Sequence, residues 1–313
     1  MAATQATTAV ESAKATETTA TKAANATEAT NATEPTMMTD ATSATKRMPK
    51  RGSGADRIIG TVTIGQSPRV DLIPEIEEVM GLRSGGHDGA HEGSQTDWPV
   101  AASATSGPGR PVRIVEAGAL DGLTLDEVKD LAPGPGDYVL VTRMADGTSV
   151  KIAERHILQR MQEKIDWLST QGADVIALVC TGEFPEFRCD RMLVVPQKLL
   201  HHVVSAVAGV RRAGDVRAFR LGVMLPDADQ TEHGMRRWST VTPEVRVEAA
   251  SPYGDLSAVR QAAAALRRWG AEAVVMDCIG YTLAMKRLVA EETGSPVFLA
   301  RSVLARVLAE LVF

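Results

Sequence analysis

Two of the three cysteines occupy matching places in the chain, and a pair of opposed thiols has a chemistry of its own. The run from Gly172 to Gly182 reads GADVIALVCTG and carries Cys180 at the end of an apolar stretch; Gly270 to Gly280 reads GAEAVVMDCIG and carries Cys278 at the same place. A single free cysteine is more often core filler than a reactive group. A matched pair is different, because each is followed by small or hydroxyl residues: Thr181 and Gly182 in one case, Gly280, Tyr281 and Thr282 in the other. A glycine two residues past a strand end suits backbone that approaches a ligand. One thiolate can take a proton from one face of an acidic carbon while the opposing thiol supplies one to the other face. A free thiol titrates near about 8.5 and burial raises it, so thiolate formation needs help. Backbone N–H groups at the start of the helix that follows each cysteine, with Thr181 or Thr282, are expected to supply it and to hold the carboxylate and its developing enolate charge. Cys189 has no counterpart in the other run and is read as incidental.

The polar residues around such a site come from other strand ends. Gln66 and Ser67 end one apolar run, and Arg69 follows them; Arg143 ends another in the segment Leu140 to Gly147. Both arginines are candidate carboxylate clamps, since a guanidinium offers a two-pronged fork, although Arg69 suits a helix-start ion pair equally well. Tyr281 is divided between a ligand hydrogen bond and packing at the rim. His156 falls on an apolar helical face and reads as a core histidine. His87 and His91 lie among glycines, and the His201–His202 pair has no ligand partners, so no metal site is expected. There is no phosphate-binding glycine loop, dinucleotide fingerprint, HExxH or Ser-His-Asp order, and no cofactor is expected.

These residues must be positioned by a duplicated unit. Arg57 to Ser67 and Phe219 to Asp229 are both apolar strands running into small polar loops; the two cysteine runs match; Met192 to Pro196 with a helix from Gln197 matches Pro296 to Ala300 with a helix from Arg301. The three pairs occur in the same order. An amphipathic helix precedes each cysteine strand: residues 151–170, with Ile152, His156, Leu158, Met161, Ile165 and Leu168 along one side, and residues 255–269, with Leu256, Val259, Ala263, Leu266 and Trp269. Gly172 and Gly270 are the left-handed caps such helices need. Helix, glycine turn and continuous apolar strand make a parallel doubly wound α/β sheet, whose ligands bind beyond the carboxyl ends of the strands. If the halves are related by a pseudo-twofold, the two cysteines face one cleft. A first α/β domain over 57–198 plus 299–313 and a second over 199–298 follow. An Ala/Thr-rich, low-complexity segment over 1–56, where 28 of the first 50 residues are Ala or Thr, is read as disordered. Glycine-rich 83–110 is read as an exposed insert.

Composition narrows the partners. Aromatic residues are only 4% of the 313 and hydrophobic residues 44%, which favours helices on a Val/Ile-rich sheet over an aromatic β-sandwich. The net charge of −5 is spread without a basic stripe, so nucleic acid is not expected. No apolar run spans a bilayer and no signal peptide is evident, so the expectation is a cytoplasmic chain with reduced thiols and no membrane partner. A homodimer is compatible with these features.

Thr63 to Arg69 (Thr-Ile-Gly-Gln-Ser-Pro-Arg), Glu116 to Leu123 and Cys180 to Gly182 resemble segments of the AroM family. That family resembles a branch of the aspartate/glutamate racemase superfamily. The resemblance implies two flavodoxin-like domains, each contributing a cysteine, and a small carboxylate ligand. The sequence departs from the racemase pattern where Asp-Ser-Gly would follow the first strand: Ile64, Gly65, Gln66 and Ser67 stand there, and only Ser67 keeps its type. The expected function is a cofactor-independent racemase or isomerase using both cysteines on a small carboxylic acid. A non-catalytic binder of such an acid, and an isomerase or decarboxylase using one cysteine, remain open alternatives.

Overall fold

The computed structural model describes residues 56–82, 111–208 and 217–313. The expectations for the tail and for the insert over 83–110 therefore lie outside the described residues, apart from Asp56. In chain order the elements are β1 (Arg57–Thr63), α1 (Ile73–Met80), β2 (Val112–Gly118), α2 (Leu125–Lys129), β3 (Val139–Arg143), β4 (Ser149–Ala153), α3 (Leu158–Thr170), β5 (Val175–Val179), β6 (Met192–Val194), α4 (Pro196–Ala208), β7 (Leu221–Leu225), α5 (Thr231–Trp238), β8 (Val245–Ala249), α6 (Leu256–Trp269), β9 (Ala273–Met276), α7 (Leu283–Thr293), β10 (Val297–Leu299) and α8 (Ala300–Val312).

Eight of the strands form two parallel sheets of identical topology. One has the order β2-β1-β5-β6, and the other, read in the equivalent direction, β8-β7-β9-β10. Each pair matched in sequence is thus a pair of strands in the same position of its sheet. The chain is an α/β protein with a duplicated, doubly wound arrangement, as the repeats predict. The match extends to packing. A Cβ on Gly60 of β1 would lie 3.1 Å from Leu168 of α3, and one on Gly222 of β7 would lie 3.1 Å from Leu266 of α6. In both halves the helix leans a leucine onto a strand glycine, an approach that a larger residue would block.

Alternation along the strands divides the core into three layers. One face of each sheet carries Ile59, Val175, Ala177, Leu221, Val223, Ala273 and Val275, and these join α1, α4 and α8 in one continuous cluster that includes Leu200, Val204, Leu304 and Leu308. The opposite face of the first sheet packs Ile58, Val62, Ile176 and Leu178 on α3. The opposite face of the second packs Met224, Val274 and Met276 on α6. The C-terminal helix α8 lies against α1 and α4.

Two expectations need correction. The helix placed over 151–170 begins at Leu158, because Ser149–Ala153 pairs antiparallel with β3 and places Ile152 on a strand. The Asp146-Gly147 turn, with Gly147 at φ 86°, reverses the chain there, and Ile152 is buried by strand alternation rather than by helical spacing. The resulting β3–β4 hairpin is an antiparallel element that the parallel-sheet expectation lacked.

Candidate active site

Cys180 is the first residue beyond β5, and Cys278 stands two beyond β9. Both strands are buried along their whole length, which fixes where their ends point. The two cysteines line one partly open cavity of about 30 Å³, together with Thr181, Gly182, Tyr138, Gln230, His233, Arg237 and Asp277. That is room for about two water molecules. The thiols are treated alike by their own backbone: the Gly182 N–H donates to Cys180 Sγ at 3.3 Å, and the Gly280 N–H donates to Cys278 Sγ at 3.3 Å.

Burial dominates the thiol electrostatics. Burial, with a smaller contribution from the neighbouring Cys278, pushes Cys180 up to about 12 against the opposing Gly182 N–H. Burial pushes Cys278 up to about 11, offset in part by the Gly280 N–H. Both thiols are therefore protonated near neutral pH, and Cys278 is the easier of the two to ionise.

The walls are tied together across the two sheets. Thr181 Oγ1 donates to the Asp277 carbonyl at 3.2 Å. Arg237 of α5 pairs with Asp277 and reaches the Thr181 carbonyl at 3.4 Å. His233 pairs with Glu183 and stacks on Tyr138 with centroids 4.4 Å apart. Gln230 donates to the Val139 carbonyl at 2.8 Å, and Lys151 of β4 pairs with Asp227 and Asp229 beyond β7. The hairpin missing from the parallel-sheet expectation thus closes one side of the site. Arg237 also borders an outer groove of about 270 Å³ lined by Lys198, His201 and His202.

The remaining candidate residues have partners within the protein, although Arg143 Nε is buried without one and the Arg69 charge favours the thiolate of both Cys180 and Cys278. Arg69 is buried, and its fork grips Asp71 through Nε and Nη2, both at 2.8 Å. Burial disfavours its charge, but the Asp71 bonds more than compensate and hold its pKa above the ordinary value. Gln66 spans the Leu120 and Leu123 carbonyls and the Ala145 N–H, and Ser67 Oγ donates to Asp121. Arg143 stacks on Tyr253, with its guanidinium carbon 4.4 Å from the ring centroid. Tyr281 is fully buried and donates its hydroxyl to the Ala250 carbonyl at 2.5 Å. Thr282 caps α7 by accepting the Met285 N–H at 3.1 Å. The structure therefore brings Cys180, Thr181, Gly182 and Cys278 into the cavity, with Gly280 behind Cys278, and leaves Gln66, Ser67, Arg69, Arg143, Tyr281 and Thr282 out of its lining. The need for glycine at Gly182 and Gly280 also has a protein-internal cause. A Cβ there would meet Leu140 at 2.9 Å in one case and the Tyr253 hydroxyl at 2.6 Å in the other.

Sequence reasoning missed Tyr138, Gln230, His233, Arg237, Asp277 and Arg301. Arg301 of α8 donates to the carbonyls of Ile279 and Gly280 at 2.9 and 3.0 Å and pairs with Glu75, bracing the segment that carries Cys278. The available signal was charge inside an apolar pattern, as at Asp277 beside Cys278. Among the described residues no group of three His, Cys, Asp or Glu side chains is placed to hold a metal, and no helix is long and apolar enough to cross a membrane.

The family model described as AroM protein matches residues 99–312, which include both cysteines. The chain belongs to the AroM family. The Thr63 to Arg69 segment precedes the matched residues, so the match stands on the remainder of this AroM-family chain. No curated protein matches it. Among solved structures, this family member is similar to glutamate racemase from Francisella tularensis in complex with D-glutamate, at 10% identity and TM-score 0.42, covering 82% of this chain and 81% of that one. It is similar to unliganded arylmalonate decarboxylase at 12% identity and TM-score 0.44, covering 82% and 92%. It is also similar to a maleate isomerase from Pseudomonas putida S16, a cysteine-to-alanine variant with maleate, at 13% identity and TM-score 0.45, covering 82% and 90%.

Proposed function

We propose that this AroM-family protein is a cofactor-independent racemase or isomerase that moves a proton at the carbon next to the carboxylate of a small acid, with Cys180 and Cys278 on opposite faces. The observation that carries the reading is the placement of two equivalent thiols, each with a glycine N–H on its sulfur, in the wall of one cavity. In the forward step the thiolate of one cysteine takes the carbon-bound proton, and the C–H electron pair moves into the carboxylate as an enediolate. The opposing S–H then protonates the other face and becomes the thiolate. Charge is conserved, and the two cysteines have exchanged roles. Cys278, the more acidic thiol, is the favoured starting base. Because Arg237 borders both the cavity and the outer groove, movement of its side chain is the proposed route by which an acid reaches the thiols. The sheets' shared topology supports reading 57–198 with 299–313 and 199–298 as the two domains.

The test is deuterium incorporation from D₂O into small amino, hydroxy and aryl carboxylic acids by wild type, Cys180→Ser and Cys278→Ser. Exchange lost in both variants supports two-thiol chemistry. Loss in only one points to a single working cysteine, and exchange retained in both sinks the proposal. A second reading, a non-catalytic binder of the same acids, is favoured by the thiols being held protonated by burial. Ligand stabilisation that is equal in all three proteins, without exchange, would select it.

A further inference from the structure

Asp277 is 3% exposed and lies in the cavity wall immediately before Cys278. One of its carboxylate oxygens, Oδ2, accepts the Trp238 Nε1–H at 2.8 Å and is paired with Arg237. The other, Oδ1, is buried and has no hydrogen-bond partner. A buried carboxylate oxygen normally finds a donor, because leaving it bare forfeits its hydration without return. Among the neighbouring donors, Gln230 is committed to the Val139 carbonyl, His233 to Glu183 and Thr181 Oγ1 to the Asp277 main chain, while Arg237, whose Nη2 engages Oδ2, leaves its own Nε buried without an acceptor. Arg237 and Trp238 both engage Oδ2, so the unused oxygen, Oδ1, asks for one further donor.

We infer that Asp277 Oδ1 is the acceptor for an O–H or N–H donor on the ligand's acidic carbon, making 2-hydroxy and 2-amino acids the substrate class. The inference rests on the reading of this cavity as the place where a small acid meets the thiols. A donor seated on Oδ1 lies beside Cys278, the residue next in the chain, and turns the adjacent carbon–hydrogen bond toward the cysteine pair.

The test compares binding by calorimetry for lactate, alanine and propionate, and for malate, aspartate and succinate, alongside deuterium exchange for each acid. Wild type is expected to bind a donor-bearing member of at least one series roughly 10- to 100-fold more tightly than its unsubstituted analogue, the scale of one hydrogen bond to a charged group. Asp277→Asn keeps the shape; with its amide oxygen held by Arg237 and Trp238 it presents an N–H₂ donor, so the preference is expected to vanish. Equal wild-type affinities within both series, or no binding in either, overturn the inference without any variant. So does a preference that survives in folded Asp277→Asn. Selective binding without exchange leaves the Asp277 assignment standing and sinks the racemase reading. Exchange that ignores the 2-substituent does the reverse.

Discussion

The Thr181 hydroxyl donates to the main-chain carbonyl of Asp277 at 3.2 Å, so the residue after one cysteine is bonded to the residue before the other. This bond sets the two thiol-bearing segments in register with each other, although they end strands of different sheets. Replacing Thr181 by Val keeps the shape and removes the donor. A stability loss of about 1–3 kcal/mol is expected from the buried carbonyl left bare, measured by urea denaturation. Thr181→Ser should retain most of it.

The raised thiol pKa values predict a steep alkaline response. With Cys278 near 11 and Cys180 near 12, any thiolate-dependent exchange should rise about tenfold per pH unit from neutrality to about 11. The sign is opposite for stability. A thiol whose pKa rises from 9.0 to about 11 on folding stabilises fully below 9.0, and that stabilisation is lost as pH climbs through 11. For Cys278 the slope is about 1.4 kcal/mol per pH unit in that window. Cys278→Ser should flatten it in a denaturation series from pH 8 to 11.

Gly280→Ala should cost about 1–3 kcal/mol by overpacking, because the added Cβ would sit 2.6 Å from the Tyr253 hydroxyl. Tyr253→Phe removes that oxygen. The double variant is therefore expected to recover part of the loss, and a simple sum of the two single effects in thermal melts would contradict the packing account.

Arg301→Met should destabilise the protein by about 3–5 kcal/mol, since it strips a buried cation from Glu75 and leaves the Ile279 and Gly280 carbonyls without their donors. The same change should speed alkylation of Cys278 relative to Cys180, followed by mass spectrometry of labelled peptides. Equal acceleration at both thiols would show that Arg301 supports the fold as a whole and not the Cys278 segment.

The fold was legible because duplication is a long-range signal. Three matched runs in one order correspond to equivalent strands of two sheets, and Gly60 and Gly222 align because each must admit a helix leucine. The hairpin was illegible because strands of five residues offer little periodicity, and Ile152 happens to fall in phase with the helix that follows. The site was half legible. Cys180 and Cys278 announce themselves by position, but Arg237 and His233 lie on a short helix whose polar residues look solvated in sequence. Gln66, Arg69 and Tyr281 have the right chemistry at the right strand ends, yet internal partners claim their polar groups: the 120–123 loop, Asp71 and Ala250. Sequence names donors and acceptors; only the folded chain decides who reaches them first.

The apolar cluster that runs unbroken from Ile59 and Val175 through Leu304 to Val223 and Val275 welds the two sheets into one body. Swinging the halves apart like jaws would tear that cluster open, so room for a guest beside the thiols has to come from side chains at the rim while the two sheets stay seamed together like the halves of a walnut.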